Sequence, residues 1–407
     1  MFEAAIALDW LTFGARWLHV ITAIAWIGSS FYFIALDLGL NKHDNLPKGA
    51  SGDEWQVHGG GFYHIQKYMV APENMPEHLT WFKWEAYSTW LSGFVLLCLV
   101  YYTGAELYLI DRSVLDVSTP VAILMSLASI AFGWVFYNTL CKSPLGTDNN
   151  RLMLILYVLL VFMAWGYTQI FTGRAALLHL GAFTGTIMSA NVFFIIIPNQ
   201  KKVVASLLAG EKPDPALGME AKQRSVHNNY LTLPVIFLML SNHAPLAFAT
   251  EYNWIIASLV FLMGVTIRHY FNSKHSRSKS DVRWTWLATV ILFMVIAWLS
   301  TATSQNTDDD VAMSAHEMNF TRVETFEDAK NTVLTRCSMC HAQEPVWDGI
   351  YVPPKGVLLE TDAQIARYAK DIYLQAGRSH AMPPANITKM EQSERDILVA
   401  WYKSAVQ

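Results

Sequence analysis

Two cysteines and a histidine near the C-terminus carry the clearest chemistry in the sequence. They are Cys337, Cys340 and His341, and they form a C-x-x-C-H run. Two thiols at this spacing can bond covalently to the vinyl groups of a haem, and the adjacent imidazole can bind its iron. A bare C-x-x-C also fits a redox dithiol or half of a zinc site, but the histidine that follows narrows the choice. The run therefore predicts one covalently bound haem c.

The second axial ligand of that iron is expected in the segment 378–386, which reads Arg-Ser-His-Ala-Met-Pro-Pro-Ala-Asn. Met382 is the predicted ligand, because Pro383 and Pro384 would hold its loop extended, as a ligand loop must be. His380 is the rival ligand, and its alternative interpretation is an ordinary surface residue. Methionine ligation raises the potential of a haem iron, which suits an electron acceptor.

Three predicted helices surround these ligands, as a small haem domain requires. They cover residues 323–336, 362–375 and 391–404, and Ile397, Leu398 and Trp401 share one face of the third. Residues 321–407 are therefore predicted to form a helical domain like the class I cytochromes c.

The composition places the rest of the chain in a membrane. The 407 residues are 53% hydrophobic and include 15 Trp, and the mean hydropathy is +0.25, which is too apolar for an ordinary soluble protein of this length. No cleavable signal peptide is predicted, because the first apolar stretch is too long for one. Cys98 and Cys141 lie in apolar segments and are interpreted as packed core residues.

Eight apolar runs are long enough to cross a bilayer, so residues 1–303 are predicted to form a polytopic helical domain and the whole fold is all-α. The short connection at 172–174 also allows a count of seven or nine. Residues 304–320 are small and polar, with Asp308, Asp309 and Asp310 in a row, and are predicted to be a flexible linker. The eight predicted spans are residues 15–37, 84–104, 119–141, 152–171, 175–197, 229–247, 254–272 and 284–303.

The distribution of basic residues between alternate loops predicts the orientation. The first, third, fifth and seventh loops hold fifteen Lys and Arg, whereas the others hold only Arg112 and Arg174. The basic loops are expected to face the cytoplasm, which puts both termini and the haem domain outside. The fifteen are Lys42, Lys48, Lys67, Lys83, Lys142, Arg151, Lys201, Lys202, Lys212, Lys222, Arg224, Lys274, Arg277, Lys279 and Arg283.

The first loop and the second predicted helix carry a family resemblance. The relevant runs are His58-Gly-Gly-Gly-Phe-Tyr63, Pro72-Glu-Asn-Met-Pro76 and Trp81-Phe-Lys-Trp-Glu-Ala-Tyr-Ser-Thr-Trp90. They resemble the bacterial integral-membrane cytochrome c urate oxidases of the PuuD type, and the resemblance covers the whole chain. It implies an inner-membrane enzyme that oxidises urate to 5-hydroxyisourate. It also implies that electrons leave through haem c to a soluble cytochrome c or a terminal oxidase rather than to O2.

A second resemblance covers about twenty residues of the first predicted helix. Trp17-Leu-His19 followed by Ala25-Trp26-Ile-Gly28 is similar to the first helix of HemJ-type protoporphyrinogen oxidases and CopD-type membrane proteins. In those families a histidine at this place serves haem or a metal. The resemblance therefore implies such a role for His19.

Histidines at the outer ends of the predicted helices could hold a second cofactor. With both termini outside, His19, His179 and His243 fall at a similar depth, as do Gln169 and Arg174. Such histidines could bind a b-type haem or a metal, which would be useful because urate releases two electrons and one haem iron accepts one. For each of them, the alternative is an ordinary packed and hydrogen-bonded histidine.

The inner ends of the predicted helices hold the residues expected to bind and oxidise urate. Urate is a planar anion, so Arg268 and Lys83 are the predicted anion partners, and Glu85 or His269 is the predicted general base. Trp81, Trp84 and Tyr87 would supply an aromatic face. Interfacial anchoring is the alternative interpretation of Lys83 and these tryptophans. The same layer contains His58, His64 and a stripe of Phe62, Ile65 and Met69, whose spacing suggests a helix lying in the membrane interface.

The sequence leaves two matters open. The outer layer competes as the substrate site, with Arg174 as the anion partner and Gln169 as the amide. Two other functions also fit: an electron-transfer subunit that handles quinol without substrate chemistry of its own, and a transporter or chaperone for haem or metal. Reduction of haem c by urate in the purified single protein would favour the enzyme over both.

Overall fold

The computed structural model describes residues 4–72, 75–112, 114–276, 281–301 and 313–406. Two residues of the Pro72–Pro76 run lie outside these residues. So do five residues named in the predictions above, namely Arg277, Lys279, Asp308, Asp309 and Asp310. The described chain consists of a bundle of long helices, a β-hairpin at one end of that bundle and a smaller helical domain at the C-terminus.

The bundle contains eleven helices in chain order within the described residues. The helix α2 continues into a π-helical segment, Leu97–Tyr102, and α6 continues through another, Asn191–Ile196, into α7. The bounds are α1 Ala4–Gly39, α2 Trp84–Leu96, α3 Ala105–Tyr108, α4 Thr119–Lys142, α5 Asn149–Thr168, α6 Gly173–Ala190, α7 Ile197–Leu208, α8 Pro215–Ser241, α9 Pro245–Phe248, α10 Asn253–His275 and α11 Trp284–Thr301.

Six helical stretches in the described chain are long and apolar enough to cross a membrane, so the prediction of eight is wrong by this criterion. The segments predicted at 84–104 and 229–247 are helical but do not meet this criterion of length and hydropathy. The α-helical part of α2 has 13 residues before its geometry changes to π, and the first half of α8 carries buried polar side chains. The six stretches are Ala4–Gly39, Thr119–Lys142, Asn149–Thr168, Gly173–Leu208, Asn253–His275 and Trp284–Thr301.

The bundle core lies between α4, α5, α6, α8 and α10. Leu152, Leu156 and Leu160 recur every fourth residue along α5 and are buried, and Phe183 of α6 is fully buried. Many side chains on the outer faces of the helices are apolar and exposed, such as Phe162 of α5 and Phe293 of α11. A belt of this kind is expected where lipid rather than water surrounds the helices.

A two-stranded β-hairpin follows α1, so the helical conformation suggested by the spacing of Phe62, Ile65 and Met69 is wrong, whereas the interfacial placement of this segment stays a prediction. Its strands are β1 Ala50–His58 and β2 Gly61–Tyr68, paired antiparallel. Gly59 and Gly60 form the tip with φ of +57° and +80°, a left-handed conformation that glycine adopts without strain. Asp53 then fixes the hairpin, because His43 Nε2 and His64 Nε2 lie 3.1 and 2.7 Å from its two carboxylate oxygens.

The C-terminal domain is helical, as predicted, and begins inside the segment assigned to the linker. Ser314 and Glu317 form a capping box at the start of its first helix. Phe320 of that helix packs edge-on against the buried Trp401, whose indole Nε1 donates to the Phe320 carbonyl at 2.8 Å. The helices are α12 Ala315–Arg322, α13 Phe326–Arg336, α14 Asp362–Arg367, α15 Ala369–Ile372 with a π-helical extension Tyr373–Arg378, and α16 Gln392–Val406.

The C-terminal domain contacts the end of the bundle opposite the hairpin. Tyr108 of α3 donates a hydrogen bond of 3.0 Å to Asp371 of α15. Gly356 lies so close to α9 that a side-chain carbon there would be 3.6 Å from Pro245 Cβ. The domain that carries the C-x-x-C-H run is therefore seated on the loops around Tyr108 and Pro245.

Candidate functional site

The C-x-x-C-H run follows α13 and continues its last turn. The backbone N–H of Cys337 donates to the Val333 carbonyl at 2.8 Å, and that of His341 donates to the Cys337 carbonyl at 3.0 Å. His341 Nδ1 lies 3.0 Å from the Val357 carbonyl and donates to it. This bond orients the imidazole and leaves Nε2 to bind a metal, as the second partners of ligating histidines commonly do.

The two thiols beside His341 sit in a partly buried, largely apolar setting. Burial raises the pKa of Cys337 to about 12, and burial also raises the pKa of Cys340. A reactive dithiol needs a lowered thiol pKa, which this environment opposes. Within the described residues no group of three or more His, Cys, Asp or Glu could hold a metal ion. The donor set therefore fits a covalently attached haem better than it fits zinc.

The two candidate distal ligands have different surroundings. Met382 is partly buried against the core of the C-terminal domain, whereas His380 is exposed. Arg395 of α16, itself 3% exposed, donates to the carbonyls of Ala376 at 2.6 Å and Met382 at 2.9 Å. This cation fixes the loop around the methionine, so Met382 remains the predicted ligand.

The predicted outer layer is only partly assembled. His179 of α6 is fully buried, its Nδ1 donates to the Ala175 carbonyl at 2.8 Å, and its Nε2 lies 2.8 Å from Ser126 Oγ. Phe171, Tyr101 and Tyr167 pack around the ring at centroid distances of 4.7, 5.9 and 5.9 Å. Both ring nitrogens have partners, which is the arrangement of a packed histidine.

His19 and His243 have other contacts. His19 Nδ1 donates to the Thr89 carbonyl of α2 at 3.0 Å, and Gly93 leaves room for the ring against that helix. His243 follows α8 and is largely exposed. Partial desolvation of its ring, and then the charges of Arg16, Arg174 and Lys355, lower its pKa. Cofactor binding by His19, His179 and His243 stays a prediction.

The other two residues of the outer layer have separate contacts. Arg174 donates to the Asn242 carbonyl at 3.0 Å, and its guanidinium carbon lies 5.4 Å from the centroid of the Tyr108 ring. Gln169 ends α5, is exposed and donates to Thr168 Oγ1 at 3.2 Å. Arg174 thus helps to shape the seat of the C-terminal domain.

Arg268 is the best-formed element of the predicted inner layer. The residue is 6% exposed, and its guanidinium carbon lies 3.9 Å from the centroid of the Phe31 ring of α1. It donates to Asn229 Oδ1 at 3.2 Å and Asn272 Oδ1 at 2.8 Å. No acidic side chain in the described part of the chain pairs with it, and Asn229 Nδ2 is buried without a partner. A buried cation held by neutral amides is suited to receive an anion.

The other inner-layer residues do not join Arg268. Lys83 and Glu85 begin α2, where the Lys83 ammonium lies 5.8 Å from the Trp84 ring centroid and Glu85 Oε2 is buried without a partner. Phe33 of α1 packs on Phe82 at 4.8 Å, whereas Phe31 packs on Arg268. Because residues two apart on a helix point to roughly opposite sides, α1 stands between the two halves of the predicted site.

The remaining residues of this layer have other surroundings. His269 Nδ1 lies 3.4 Å from Tyr230 Oη, and its ring centroid lies 6.4 Å from that of Trp284. Trp81 and Tyr87 pack on the apolar cluster of Ala86, Val192 and Ile197. His58 is exposed at the hairpin tip, and His64 belongs to the clamp on Asp53.

A buried polar cluster between α4, α6 and α8 escaped the sequence analysis. Arg224, counted there as a loop residue, lies inside α8 with 0% exposure and donates to Asn191 Oδ1 at 3.3 Å and Asn138 Oδ1 at 3.0 Å. Tyr137 Oη lies 2.8 Å from His227 Nδ1, and Arg224 stacks on the Tyr137 ring at 4.9 Å. The run of His227, Asn228 and Asn229 ahead of an apolar stretch was the available signal.

Comparison with known proteins gives one result for the membrane bundle. The family model described as urate oxidase N-terminal matches residues 5–300, which is the whole bundle and the hairpin but not the C-terminal domain. Neither the curated proteins nor the solved structures contain a match. The matched region includes Arg268, His269, Lys83, Glu85 and the three outer histidines. Because the match covers more than half of the chain, the chain belongs to the urate oxidase N-terminal family.

Proposed function

We propose that the protein is a membrane-bound urate oxidase that converts urate to 5-hydroxyisourate and passes the electrons through its own haem c. The observation that carries the proposal is the union, in one chain, of a bundle of the urate oxidase family at 5–300 and a C-terminal domain with the C-x-x-C-H run. Electron transfer through haem c is supported by the fit of four residues to that group, namely Cys337, Cys340, His341 and Met382.

The reaction needs an electron acceptor that the bundle residues do not supply. Addition of one water to urate with loss of two electrons and two protons gives 5-hydroxyisourate. Cys337, Cys340, His341 and Met382 would hold haem c, which would supply a one-electron acceptor of raised potential in the C-terminal domain. Two equivalents of soluble cytochrome c, or a terminal oxidase, would then receive the electrons from each urate.

Arg268 is the residue to which we assign urate binding. Its guanidinium compensates the charge of the urate anion, and Asn229 and Asn272 hold it on the face of Phe31. The unpartnered Asn229 Nδ2 is a free donor for a urate oxygen or ring nitrogen. His269, one residue from Arg268, would accept a proton from urate or from the water. Glu85 and Lys83, the other predicted base and anion partner, lie on the far side of α1 from Arg268 and would join this site only if α1 and α2 rearrange.

The orientation that supports this scheme puts the hairpin in the cytoplasm and the C-terminal domain on the periplasmic side of a bacterial inner membrane. The excess of Lys and Arg near the hairpin end of the bundle supports it, although Arg224 no longer counts as a loop residue. The two helices that fail the apolarity criterion still run along the bundle, since α2 with its π-segment leads from the hairpin side to Tyr108.

Anaerobic addition of urate to the purified full-length protein tests the proposal. We expect haem c to become reduced, and soluble cytochrome c to be reduced in a ratio of about two per 5-hydroxyisourate formed. Cys340→Ala should lose covalent haem and this activity together. If urate reduces nothing unless a partner subunit is added, the chain is an electron-transfer subunit. A pyridine haemochrome spectrum would also decide whether a b-type haem accompanies haem c at His19, His179 or His243.

A further inference from the structure

A cavity of about 450 Å³ lies at the hairpin end of the bundle, between α1, β1 and α10. This volume is in the range of small-molecule sites and exceeds what a bicyclic heterocycle needs. Polar side chains from all three elements line it, namely Tyr32 of α1, Glu54 and Gln56 of β1, and Lys274 and His275 of α10. No role in the proposed reaction has been given to any of them.

The cavity and Arg268 share two helix faces. Phe31, which stacks on Arg268, lies one helical turn before Ala35, which lines the cavity. Phe271 and His275 of the cavity follow Arg268 on the same side of α10 at three and seven residues. Since residues three, four and seven apart share a face, the floor of the cavity is about one turn, roughly 5 Å, above the guanidinium.

One acceptor in the cavity is left without a donor. Glu54 Oε2 is buried and has no hydrogen-bond partner in the described part of the chain. It faces Gly39, where a side-chain carbon would come within 2.9 Å of that oxygen, so the glycine makes room for it. Gln56 is oriented beside it, because Tyr32 Oη donates to Gln56 Oε1 at 2.7 Å. The Glu54 carboxylate, which lines the cavity, is an acceptor for a ligand with N–H groups.

We propose that this cavity is the specificity site for a planar, singly charged heterocycle with several N–H donors. Glu54 accepts ligand N–H groups, Gln56 reads a neighbouring amide edge, and Lys274 meets the ligand oxygens at the mouth. Arg268, one turn deeper, compensates the negative charge. The inference rests on the proposed function for the choice of urate as ligand, and it adds the side chains that distinguish urate from purines with fewer N–H groups.

Two variants and their controls test the site by steady-state turnover with soluble cytochrome c. Glu54→Gln keeps the shape of the side chain but replaces one of its two acceptor oxygens with an NH2 donor. KM for urate should therefore rise about tenfold, with kcat within about twofold. Ala35→Trp fills the cavity, and kcat/KM should fall about 100-fold. Ile24→Trp, on an exposed face of the same helix, should change neither value. Covalent haem content and reduction by dithionite should match the wild type in all three and so report folding.

The results separate the inference from the proposed function. Wild-type turnover with unchanged KM in Glu54→Gln and unchanged kcat/KM in Ala35→Trp would overturn the cavity assignment and leave the reaction intact. If the wild type does not oxidise urate, equilibrium dialysis with radiolabelled urate replaces turnover. Binding weakened by both substitutions would then support the site, and binding unaffected by either would refute it.

Discussion

Tyr108 of the membrane bundle donates a hydrogen bond of 3.0 Å to Asp371 Oδ2 of the C-terminal domain, across 263 positions of sequence. The phenol is held from the bundle side, because Thr172 Oγ1 donates to the Tyr108 carbonyl at 2.7 Å and Arg174 stacks on the ring. The bond therefore ties the C-terminal domain to a rigid part of the bundle. In the proposed reaction this contact fixes the C-terminal domain, with its predicted haem ligands, at the end of the bundle opposite the hairpin.

Loss of the Tyr108 hydroxyl should slow electron transfer within the protein. Tyr108→Phe removes one hydrogen bond, worth about 0.5–1.5 kcal/mol, and leaves the half-buried Asp371 carboxyl without its donor. We expect the rate of haem c reduction after rapid mixing with urate to fall about threefold to tenfold, with KM for urate unchanged. Tyr351→Phe, on an exposed part of the C-terminal domain, is the control and should behave as the wild type. An equal rate in both variants would remove this contact from the electron route.

The same contact should respond to pH. Burial raises the pKa of Asp371 above the ordinary carboxyl value, and the hydrogen bond from Tyr108 opposes that rise. The docked domain therefore holds this proton more tightly than the released domain does. Docking should be strongest below the ordinary carboxyl pKa and should weaken as pH rises through the raised value.

The pH dependence of docking can be measured by pulsed electron paramagnetic resonance, as the distance between spin labels at Leu246→Cys and Tyr351→Cys. The fraction of molecules at the short distance should fall as pH rises, and Asp371→Asn should make it independent of pH. A pH-dependent distance that persists in Asp371→Asn would assign the effect to another group.

The elements that the sequence predicted are those whose signal is local. The apolar runs gave α4, α5, α6, α10 and α11, and the helices around the C-x-x-C-H run appear close to their expected bounds. The hairpin was missed because Phe62, Ile65 and Met69 happen to fit helical spacing, while the pair Gly59 and Gly60 and the strand pairing outweigh it. The spacing of apolar residues within one segment carries no information about the strand with which that segment pairs.

The candidate site was less predictable because its residues meet through the packing of distant helices. Arg268 was found as an ionisable residue in an apolar run, but Phe31, Asn229 and Asn272 are neutral and carry no such signal. Lys83 and Arg268 were paired by depth alone, which gives no information about the side of α1 on which each lies. Depth orders residues along the membrane normal, and only helix packing fixes them around it.

Substitutions of Arg268 should weaken urate binding. Arg268→Lys keeps the charge but loses the fork that Asn229 and Asn272 hold, so KM for urate should rise about tenfold to 100-fold. Arg268→Met should lose measurable turnover, because no charge compensates the anion. Arg283→Met removes an exposed arginine near the same end of the bundle and should leave KM unchanged. Full activity in Arg268→Met would move the substrate site away from α10.

Arg395 should control the Met382 loop of the C-terminal domain. Arg395→Met leaves the carbonyls of Ala376 and Met382 without their donor, at a cost of about 1–3 kcal/mol for each buried group. We expect loss of the sulfur-to-iron charge-transfer band and a lower reduction potential, while covalent attachment at Cys337 and Cys340 is kept. Arg378→Met, in the same segment, is the comparison variant. Unchanged spectra in Arg395→Met would mean that the loop needs no support from α16.

The buried cluster around Tyr137 should contribute to stability even if it takes no part in chemistry. Tyr137→Phe removes the partner of His227 Nδ1 and an acceptor for Asn191 Nδ2, so the unfolding free energy should fall by about 1–3 kcal/mol. Tyr157→Phe is the matched control, because its hydroxyl makes only a long bond of 3.4 Å to the Ser258 carbonyl. Unfolding in detergent, followed by circular dichroism, should show a clear loss for Tyr137→Phe and almost none for Tyr157→Phe. Equal losses would mean that helix packing, rather than this hydrogen-bonded cluster, holds α4 against α8.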